Sequence, residues 1–461
     1  MRVEEFPPSI RWNTLRNMSI DVDKGRLAEV AAAAATIAAM AKMFLPFHMI
    51  GSTTIFVLAS AIAAMLIIIC RRPLYEMAGK VGDFLIGAGT FYVLVTVNFL
   101  LLSRPIVPAT HLIGILAFHG LFLIFGFATA RSLNVLLLIL LGAAAIYLIA
   151  IARYAVMFGD LEEDGYLHDI FGFREPAVFV TFHQNIGFMF GLAVIALFGL
   201  VSNRIGAIFF LGVLPAVLLF LFYISARGAL VAVLCSLIFW LGAEFWFRSR
   251  KVTLAGIVVI ALVTTLTSGF FYRYALHDKS VDAKAPDAIS RTIREIQDPR
   301  PGFRLQILAR AWHRIATEPD KLLFGRGIGI YPVDEGFGAP DWLLRPTEGS
   351  KHYPHNVHLE MLYETGIIGL LLFSFLTFMP VVWSVHRWSL LSRGQKACVA
   401  LYVFTLVSSD ISGAFAYTYV LQFFLGLTVG ITALERIAEA NQSGGTIASS
   451  KAEYRVIGAE I

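Results

Sequence analysis

The polar stretch 351–360, KHYPHNVHLE, contains three histidines and precedes a long apolar run. Pro354 bars a continuous helix through this stretch, and Asn356 is a favourable N-cap, so we expect a helix to begin there. His355 would then lie at the positive end of that helix. The helix field keeps an imidazole neutral and able to accept a proton, while free backbone amides attract phosphate oxygens. A neutral base beside an anion site suits group transfer.

Other interpretations of the same stretch stay open. His352 and His358 are candidate interfacial residues. The spacing of the three histidines is also that of zinc ligands, although the intervening proline separates the first from the helix that carries the third. Glu360 and Glu364 lie one helical turn apart, and they can orient His355, carry protons or pair with nearby basic groups.

Two arginines stand at positions where a charge is unusual. Arg227 lies in a turn so short that the apolar runs on either side must almost touch, and charges at such positions tend to be paired and functional. Residues 303–317 predict a helix with a broad apolar arc that includes Trp312. Arg304 falls inside this arc, where it needs an anionic partner unless it snorkels at the helix start. Because arginine binds phosphate bidentately and histidine activates hydroxyls, the two arginines and His355 suit a lipid diphosphate.

A glycine-rich segment and an acidic loop each allow two interpretations. In residues 324–331 glycines alternate with other residues, which lets backbone amides approach an anion, but no P-loop lysine follows and the segment also fits a simple turn. The carboxylates of the loop 153–185 form either a solvated acidic face or a metal site, and they lack the spacing of a calcium loop. These carboxylates belong to Asp160, Glu162, Glu163, Asp164, Asp169 and Glu175.

The composition is that of a polytopic membrane protein. The chain has 461 residues, of which 57% are hydrophobic and 15% charged, and its mean hydropathy is +0.73. The net charge of +5 would suit a nucleic-acid partner, but most basic residues flank apolar runs, where they set membrane topology instead. The three cysteines lie inside apolar runs without the spacing of a disulfide framework or a zinc site.

Apolar runs of about 20 residues, the length that crosses a bilayer, predict an all-α membrane protein with about twelve transmembrane helices. The excess of Lys and Arg in alternate short loops places both termini in the cytoplasm and the long loops 153–185 and 273–355 outside. The lipid bilayer is thus an expected partner, and nucleic acid is not. The predicted spans are 27–46, 52–70, 84–102, 112–130, 132–152, 186–202, 205–224, 229–247, 252–272, 364–385, 397–415 and 418–435.

These features divide the chain into predicted segments. A charged leader precedes the first apolar run, so we expect that run to stay as an anchor rather than to be cleaved as a signal peptide. The segment after Arg436 is rich in Ser, Gly and Ala and predicts a disordered cytoplasmic tail. The segments are the leader 1–26, spans one to nine at 27–272, the large periplasmic loop 273–355, spans ten to twelve at 356–435 and the tail 436–461.

At four places the chain resembles the O-antigen ligase and polymerase superfamily, membrane glycosyltransferases of bacterial envelopes. The ordered set of motifs covers roughly residues 205–385. The stretch His352-Tyr353-Pro354 does not match a particular subgroup. The four places are Ser225-Ala226-Arg227-Gly228, Arg304 with Trp312, Gly325 to Tyr331 after Pro319, and His355-Asn356 with Leu359-Glu360 and Glu364-Thr365-Gly366-Ile367-Ile368-Gly369.

The resemblance implies a reaction at the periplasmic face of the bacterial inner membrane. A glycan passes from undecaprenyl diphosphate to a sugar hydroxyl without a metal, a nucleotide or another cofactor. The acceptor is a lipid-core sugar, a protein or another lipid-linked repeat. His355 corresponds to the proposed general base, and Arg227 and Arg304 to arginines that stabilise the diphosphate leaving group, so direct displacement would invert the anomeric centre. Residues also expected to bind substrate are Gly327, Gly329, Tyr331, Asn356 and Glu360.

A multispan polysaccharide transporter or lipid flippase is the alternative function. A large number of spans suits it, but a transporter should show internal repeats and charges near the bilayer midplane. A midplane cavity lined by His119 and Asp410 would favour transport, whereas convergence of Arg227, Arg304 and His355 at the outer boundary would favour transfer. Taken alone, His119 is interpreted as a packing residue, and the role of Asp410 stays open.

Overall fold

The computed structural model of the protein describes residues 26–41, 50–158, 176–201, 204–223, 226–247, 303–334 and 353–457, and within these ranges every regular element is a helix. A π-helical turn, Phe99–Ser103, extends the fourth helix. Short 3-10 turns cover Pro319–Lys321 and Phe415–Tyr417. The helices are α1 (26–41), α2 (Ile50–Ile69), α3 (Arg71–Gly79), α4 (Gly82–Asn98), α5 (Ala109–Thr129), α6 (Leu133–Phe158), α7 (Pro176–Leu200), α8 (Arg204–Tyr223), α9 (Arg227–Phe247), α10 (Phe303–Thr317), α11 (Tyr331–Asp334), α12 (Val357–His386), α13 (Arg393–Ser412) and α14 (Tyr419–Ile457).

The described part of the chain has the architecture of an all-helical, multi-pass membrane protein. Helices occupy each predicted span except 252–272, which lies outside the described residues together with most of the loop 273–355. The total of about twelve spans and the outer position of the long loops stay predictions. Helix α14 continues to Ile457, whereas the sequence predicts a disordered tail from residue 436. A bent pair, α2 with α3, is a further candidate span and turns by 76°. Counted only over residues whose side chains the structure describes, 5 helical segments are long and apolar enough to cross a bilayer: Gly82–Ser103, Ala109–Thr129, Arg227–Trp246, Val357–His386 and Tyr419–Asn441.

Helices α5 and α14 approach each other so closely that a side chain would not fit at several points of contact. A Cβ atom on Gly126 of α5 would overlap the carbonyl of Phe423, and one on Gly426 of α14 would overlap the carbonyl of Leu123. Gly430 lies one turn further along the same seam. Burial of apolar surface does not drive helix association in lipid. Van der Waals packing does, and small residues allow the helices to approach closely enough for it.

Helix α13 packs against both α7 and α9 and fixes the direction of α9. Near the first turn of α13, Lys396 Nζ lies 3.0 Å from Glu244 Oε1, which is close to the last turn of α9. At the opposite end, a Cβ atom on Gly228 would lie 3.1 Å from Ile411 Cγ2. The two helices are therefore antiparallel, and α9 begins beside the last turn of α13.

Candidate active site

The predicted start of α12 is confirmed. Asn356 has extended dihedrals, and its Oδ1 accepts a hydrogen bond from Leu359 N over 2.7 Å. Helix α12 then runs from Val357 to His386, with a break at Gly366, whose backbone is not helical. His355 therefore lies immediately before the positive end of the first segment of α12, at the helix start that the sequence predicts.

His355 has an unusual backbone conformation. Its φ is 58°, and no other non-glycine residue of the described ranges has a positive φ. Left-handed backbone costs an ordinary residue about 1–2 kcal/mol, so the surroundings must hold it in place. The residue is only 7% exposed, and the ring centroids of Tyr353 and His355 are 4.5 Å apart. Backbone strain of this kind is concentrated at functional sites.

The beginning of α12 is bound to the end of α13. Asn356 Nδ2 donates to the Asp410 carbonyl over 3.0 Å, and His358 Nδ1 lies 2.7 Å from Asp410 Oδ1. Just beyond α13, Phe415 N donates to Glu360 Oε2 over 2.9 Å. These contacts hold the turn that carries His355, the candidate base. They also show that Asp410 pairs with His358, a contact that the sequence did not reveal.

Arg227 lies at the same end of α13. It is the first residue of α9 and is half-buried. The next residue, Gly228, packs against Ile411, and Asp410 one position earlier holds the turn of His355. The positive ends of α9 and α12 thus adjoin neighbouring residues of α13, an environment that favours an anion.

Arg304 is carried by α10, whose bounds are those that its sequence predicts. The residue lies in the first turn of the helix, and the helix docks on α12, the helix that His355 precedes. Trp312 lies on the predicted apolar arc but is 59% exposed, so the face of α10 that docks on α12 is narrower than the arc. The docking core consists of Ile307, Ala311, Tyr331 and Tyr363, with Ile315 and Leu359 packed against it.

A polar cluster that the sequence interpretation did not single out ties α10 to α12. Asp334 Oδ2 accepts a hydrogen bond from Tyr363 Oη over 2.6 Å. The same oxygen lies 3.2 Å from Arg326 Nη1 and 3.9 Å from Arg314 Nη1. Burial lowers the pKa of Arg326, but its hydrogen bond to Glu318 and the neighbouring charges outweigh burial and raise the pKa. The partners are distant in sequence, so no local pattern reveals this cluster.

The glycine-rich segment is a turn held by α12, in agreement with the turn interpretation. Arg326 N donates to the Tyr363 carbonyl over 3.1 Å, and Gly327 N donates to the Glu364 carbonyl over 2.8 Å. Tyr331 N donates to Glu364 Oε1 over 3.2 Å. These backbone amides make hydrogen bonds within the protein, so they are not available to cradle a phosphate.

The residues expected to bind substrate all have structural contacts of their own. Tyr331 is 1% exposed within the docking core, and Glu360 is 6% exposed. The side chain of Asn356 both caps α12 and binds the end of α13. The structure therefore gives these residues a role in positioning the backbone. Direct substrate contact stays a prediction for Gly327, Gly329, Tyr331, Asn356 and Glu360.

Aromatic rings lie between His119 and Asp410, the two residues that would line a transport cavity. His119 is fully buried, which fits its interpretation as a packing residue. Asp410 pairs with His358 instead of facing His119. The ring centroids are 5.1 Å apart for His358 and Phe373, 5.8 Å for Phe373 and Phe415, and 4.8 Å for Phe415 and His119.

The described ranges contain no group of three His, Cys, Asp or Glu side chains that could hold a metal ion. His352 and the acidic residues of the first long loop lie outside these ranges. His355 and His358 have different neighbours, since the first packs on Tyr353 and the second binds Asp410.

Comparison with known families supports one assignment. The sequence model of the family described as O-antigen ligase matches residues 210–374, a range that contains Arg227, Arg304 and His355. The match runs from α8 to the middle of α12, and it confirms the resemblance to the O-antigen ligase and polymerase superfamily. No curated protein matches the chain significantly.

Proposed function

Because the chain carries an O-antigen ligase domain within a multi-helix membrane protein, we propose that it transfers a glycan from undecaprenyl diphosphate to a sugar hydroxyl of an acceptor. The proposed site faces the periplasm at the bacterial inner membrane, in keeping with the distribution of basic loops. Transfer to a lipid-core sugar would make the protein a ligase, and transfer to another lipid-linked repeat would make it a polymerase.

The observation that carries this proposal is the junction at residues 410–412 of α13. The turn of His355 is bound there through Asn356, and the turn of Arg227 packs there through Gly228. A base and an arginine at the positive ends of two helices suit a reaction between a hydroxyl group and a substrate with a diphosphate leaving group.

The proposed reaction is a direct displacement. His355 takes the proton of the acceptor hydroxyl while the hydroxyl oxygen attacks the anomeric carbon. The bond between that carbon and the diphosphate oxygen breaks, and undecaprenyl diphosphate leaves with the electron pair. Arg227, together with Arg304 on α10, pairs with the diphosphate and stabilises its developing charge. Attack opposite the leaving group inverts the anomeric centre, and the proposed steps use neither a metal nor a nucleotide.

Replacing His355 with asparagine tests the base while preserving the turn. Alanine would be strained at a φ of 58°, whereas asparagine tolerates this conformation but offers no basic nitrogen. In nanodiscs supplied with a synthetic undecaprenyl diphosphate glycan and a sugar acceptor, transfer should fall by about 10²–10⁴-fold, the contribution of a general base. The matched control is His313→Asn on the exposed face of α10, which should keep full activity.

The arginines are tested in the same assay. Arg227→Gln and Arg304→Gln should each abolish transfer without lowering the protein level, and Arg310→Gln on the exposed face of α10 should not. Normal transfer by His355→Asn or by both arginine variants would reject the proposed site. Offering a lipid-core oligosaccharide and a second lipid-linked repeat as separate acceptors, with product length read by mass spectrometry, distinguishes ligation from polymerisation.

A further inference from the structure

Three consecutive large apolar residues are exposed after α10, at the point where the glycine-rich segment begins. Leu322, Leu323 and Phe324, here called the apolar turn, are 36%, 51% and 54% exposed. They follow Asp320 and Lys321, whose side chains are 69% and 50% exposed. Contiguous apolar surface with a polar rim marks a surface of interaction.

The backbone of the apolar turn is held in place by two helices. Ile367 N on α12 donates to the Leu322 carbonyl over 2.9 Å, and Asn98 Nδ2 on α4 donates to the Phe324 carbonyl over 2.7 Å. The exposed side chains are therefore presented by a fixed backbone, and their position relative to the two helices is defined.

The apolar turn continues the lipid-facing surface of these helices. On α12 the exposed apolar residues recur at spacings of three and four, as expected for one face of a helix that lies against lipid. On α4 they come from the π-helical turn at its end, which packs beside Gly327. The exposed residues are Ile367, Leu371, Phe375, Phe378 and Val382 on α12, and Leu100, Leu101 and Leu102 on α4.

The length of α12 gives the depth of the apolar turn. From Ile367 to His386 the helix is about 30 Å long at about 1.5 Å per residue, which is roughly the thickness of the hydrocarbon core. The boundary of that core on the His355 side therefore lies near Ile367, the residue that binds Leu322. Lys321 then lies near the lipid headgroups, where lysine side chains snorkel.

We propose that the apolar turn inserts into the bilayer leaflet on the His355 side of the membrane and anchors α10 there. Its partner is the acyl-chain region of the lipid, because its three side chains are apolar and adjoin lipid-facing surface on both neighbouring helices. The polar cluster around Asp334 meets α12 at Tyr363, in the segment that precedes the break at Gly366. This anchor fixes the height of α10, and with it Arg304, above the membrane. The inference does not depend on the proposed reaction.

Fluorescent labelling of the full chain in nanodiscs tests the anchor. In a background without Cys70, Cys235 and Cys398, an environment-sensitive NBD dye is attached in separate variants to Leu322→Cys, Leu323→Cys or Phe324→Cys. Leu371→Cys on the lipid-facing side of α12 is the positive control, and His313→Cys on the exposed face of α10 is the negative control. Three test positions keep the experiment decisive if one variant fails to fold.

We expect dye on the apolar turn to emit at shorter wavelength than dye at position 313, and to be quenched by lipids that carry a nitroxide near the headgroup. Dye at position 371 should be quenched best by nitroxides deeper in the chain. Quenching by aqueous iodide at all folded test positions, as at position 313, would overturn the proposal. Protection from both iodide and nitroxide lipids would also overturn it, since the turn would then be covered by protein.

Discussion

Replacing Gly366 with alanine tests the docking of the glycine-rich segment on α12. Gly366 has φ 70° and ψ −168°, a region of backbone conformation that is essentially restricted to glycine. A Cβ atom at this position would overlap the carbonyl of Leu323 and lie 2.6 Å from Gly325 N. Both neighbours are backbone atoms, so no rotation of a side chain can relieve the overlap.

The magnitude follows from the strain and from the hydrogen bonds that depend on this close approach. The unfavourable conformation costs about 1–3 kcal/mol. The bonds from Ile367 N to Leu322 O at 2.9 Å and from Gly327 N to Glu364 O at 2.8 Å contribute about 1 kcal/mol each. We therefore expect Gly366→Ala to weaken the docking of the segment by about 3–5 kcal/mol.

Amide hydrogen exchange of the purified protein measures this loss locally. Exchange should accelerate in residues 322–331 and in α10, and remain unchanged at the α9 and α13 contact. The control is Gly89→Ala on α4, where a Cβ atom would meet nothing within 4 Å. Alanine there should be neutral or stabilise the helix by up to about 1 kcal/mol. Equal exchange in both variants would refute the account of Gly366 as a close backbone contact.

Two further substitutions test the polar cluster and the α5–α14 seam. Asp334→Ala should weaken docking of α10 by about 1.5–3 kcal/mol, because the Tyr363 hydroxyl and the Arg326 guanidinium lose a charged acceptor and Arg314 loses an ion-pair partner. Amide exchange in α10 should then be faster than in the control variant Asp320→Ala, which removes a side chain that is 69% exposed. Equal exchange in α10 of the two variants would contradict the prediction. Gly426→Leu should lower the free energy of unfolding by about 1–3 kcal/mol, and with it the melting temperature, since the leucine side chain would overlap the α5 backbone. The control Gly242→Leu places the side chain in open space on α9 and should leave the melting temperature unchanged. Equal melting temperatures for the two variants would show that the α5–α14 seam tolerates a side chain.

Local sequence signals predicted the elements that carry the candidate site. The start of α12 follows from a proline two residues before an N-cap asparagine, and the bounds of α10 follow from its periodicity and the proline after it. The exposed position of Trp312 did not follow, because a helical wheel shows only which residues share an arc. The partner surface decides how much of that arc is buried.

Contacts between residues that are distant in the sequence could not be predicted from local sequence patterns. The partners of Asp410 and Asp334 lie on other elements, so neither carboxylate could be assigned from its neighbours in sequence. The turn of residues 324–331 is a similar case, since alternating glycines fit a phosphate cradle as well as a close backbone contact. Its amides bind α12, and that packing distinguishes the two interpretations.

The candidate catalytic residues rest on two separate supports. The first is the end of α13, which binds the turn of His355 and packs against the turn of Arg227. The second is the docking of α10 on α12, which carries Arg304 and depends on Gly366 and the polar cluster. Because the supports share only α12, undocking α10 should displace one arginine while leaving the base and the other arginine in place. Loss of transfer in an undocked variant would therefore report on Arg304 and on the predicted substrate-binding residues of the segment 324–331, and it would not bear on the general base.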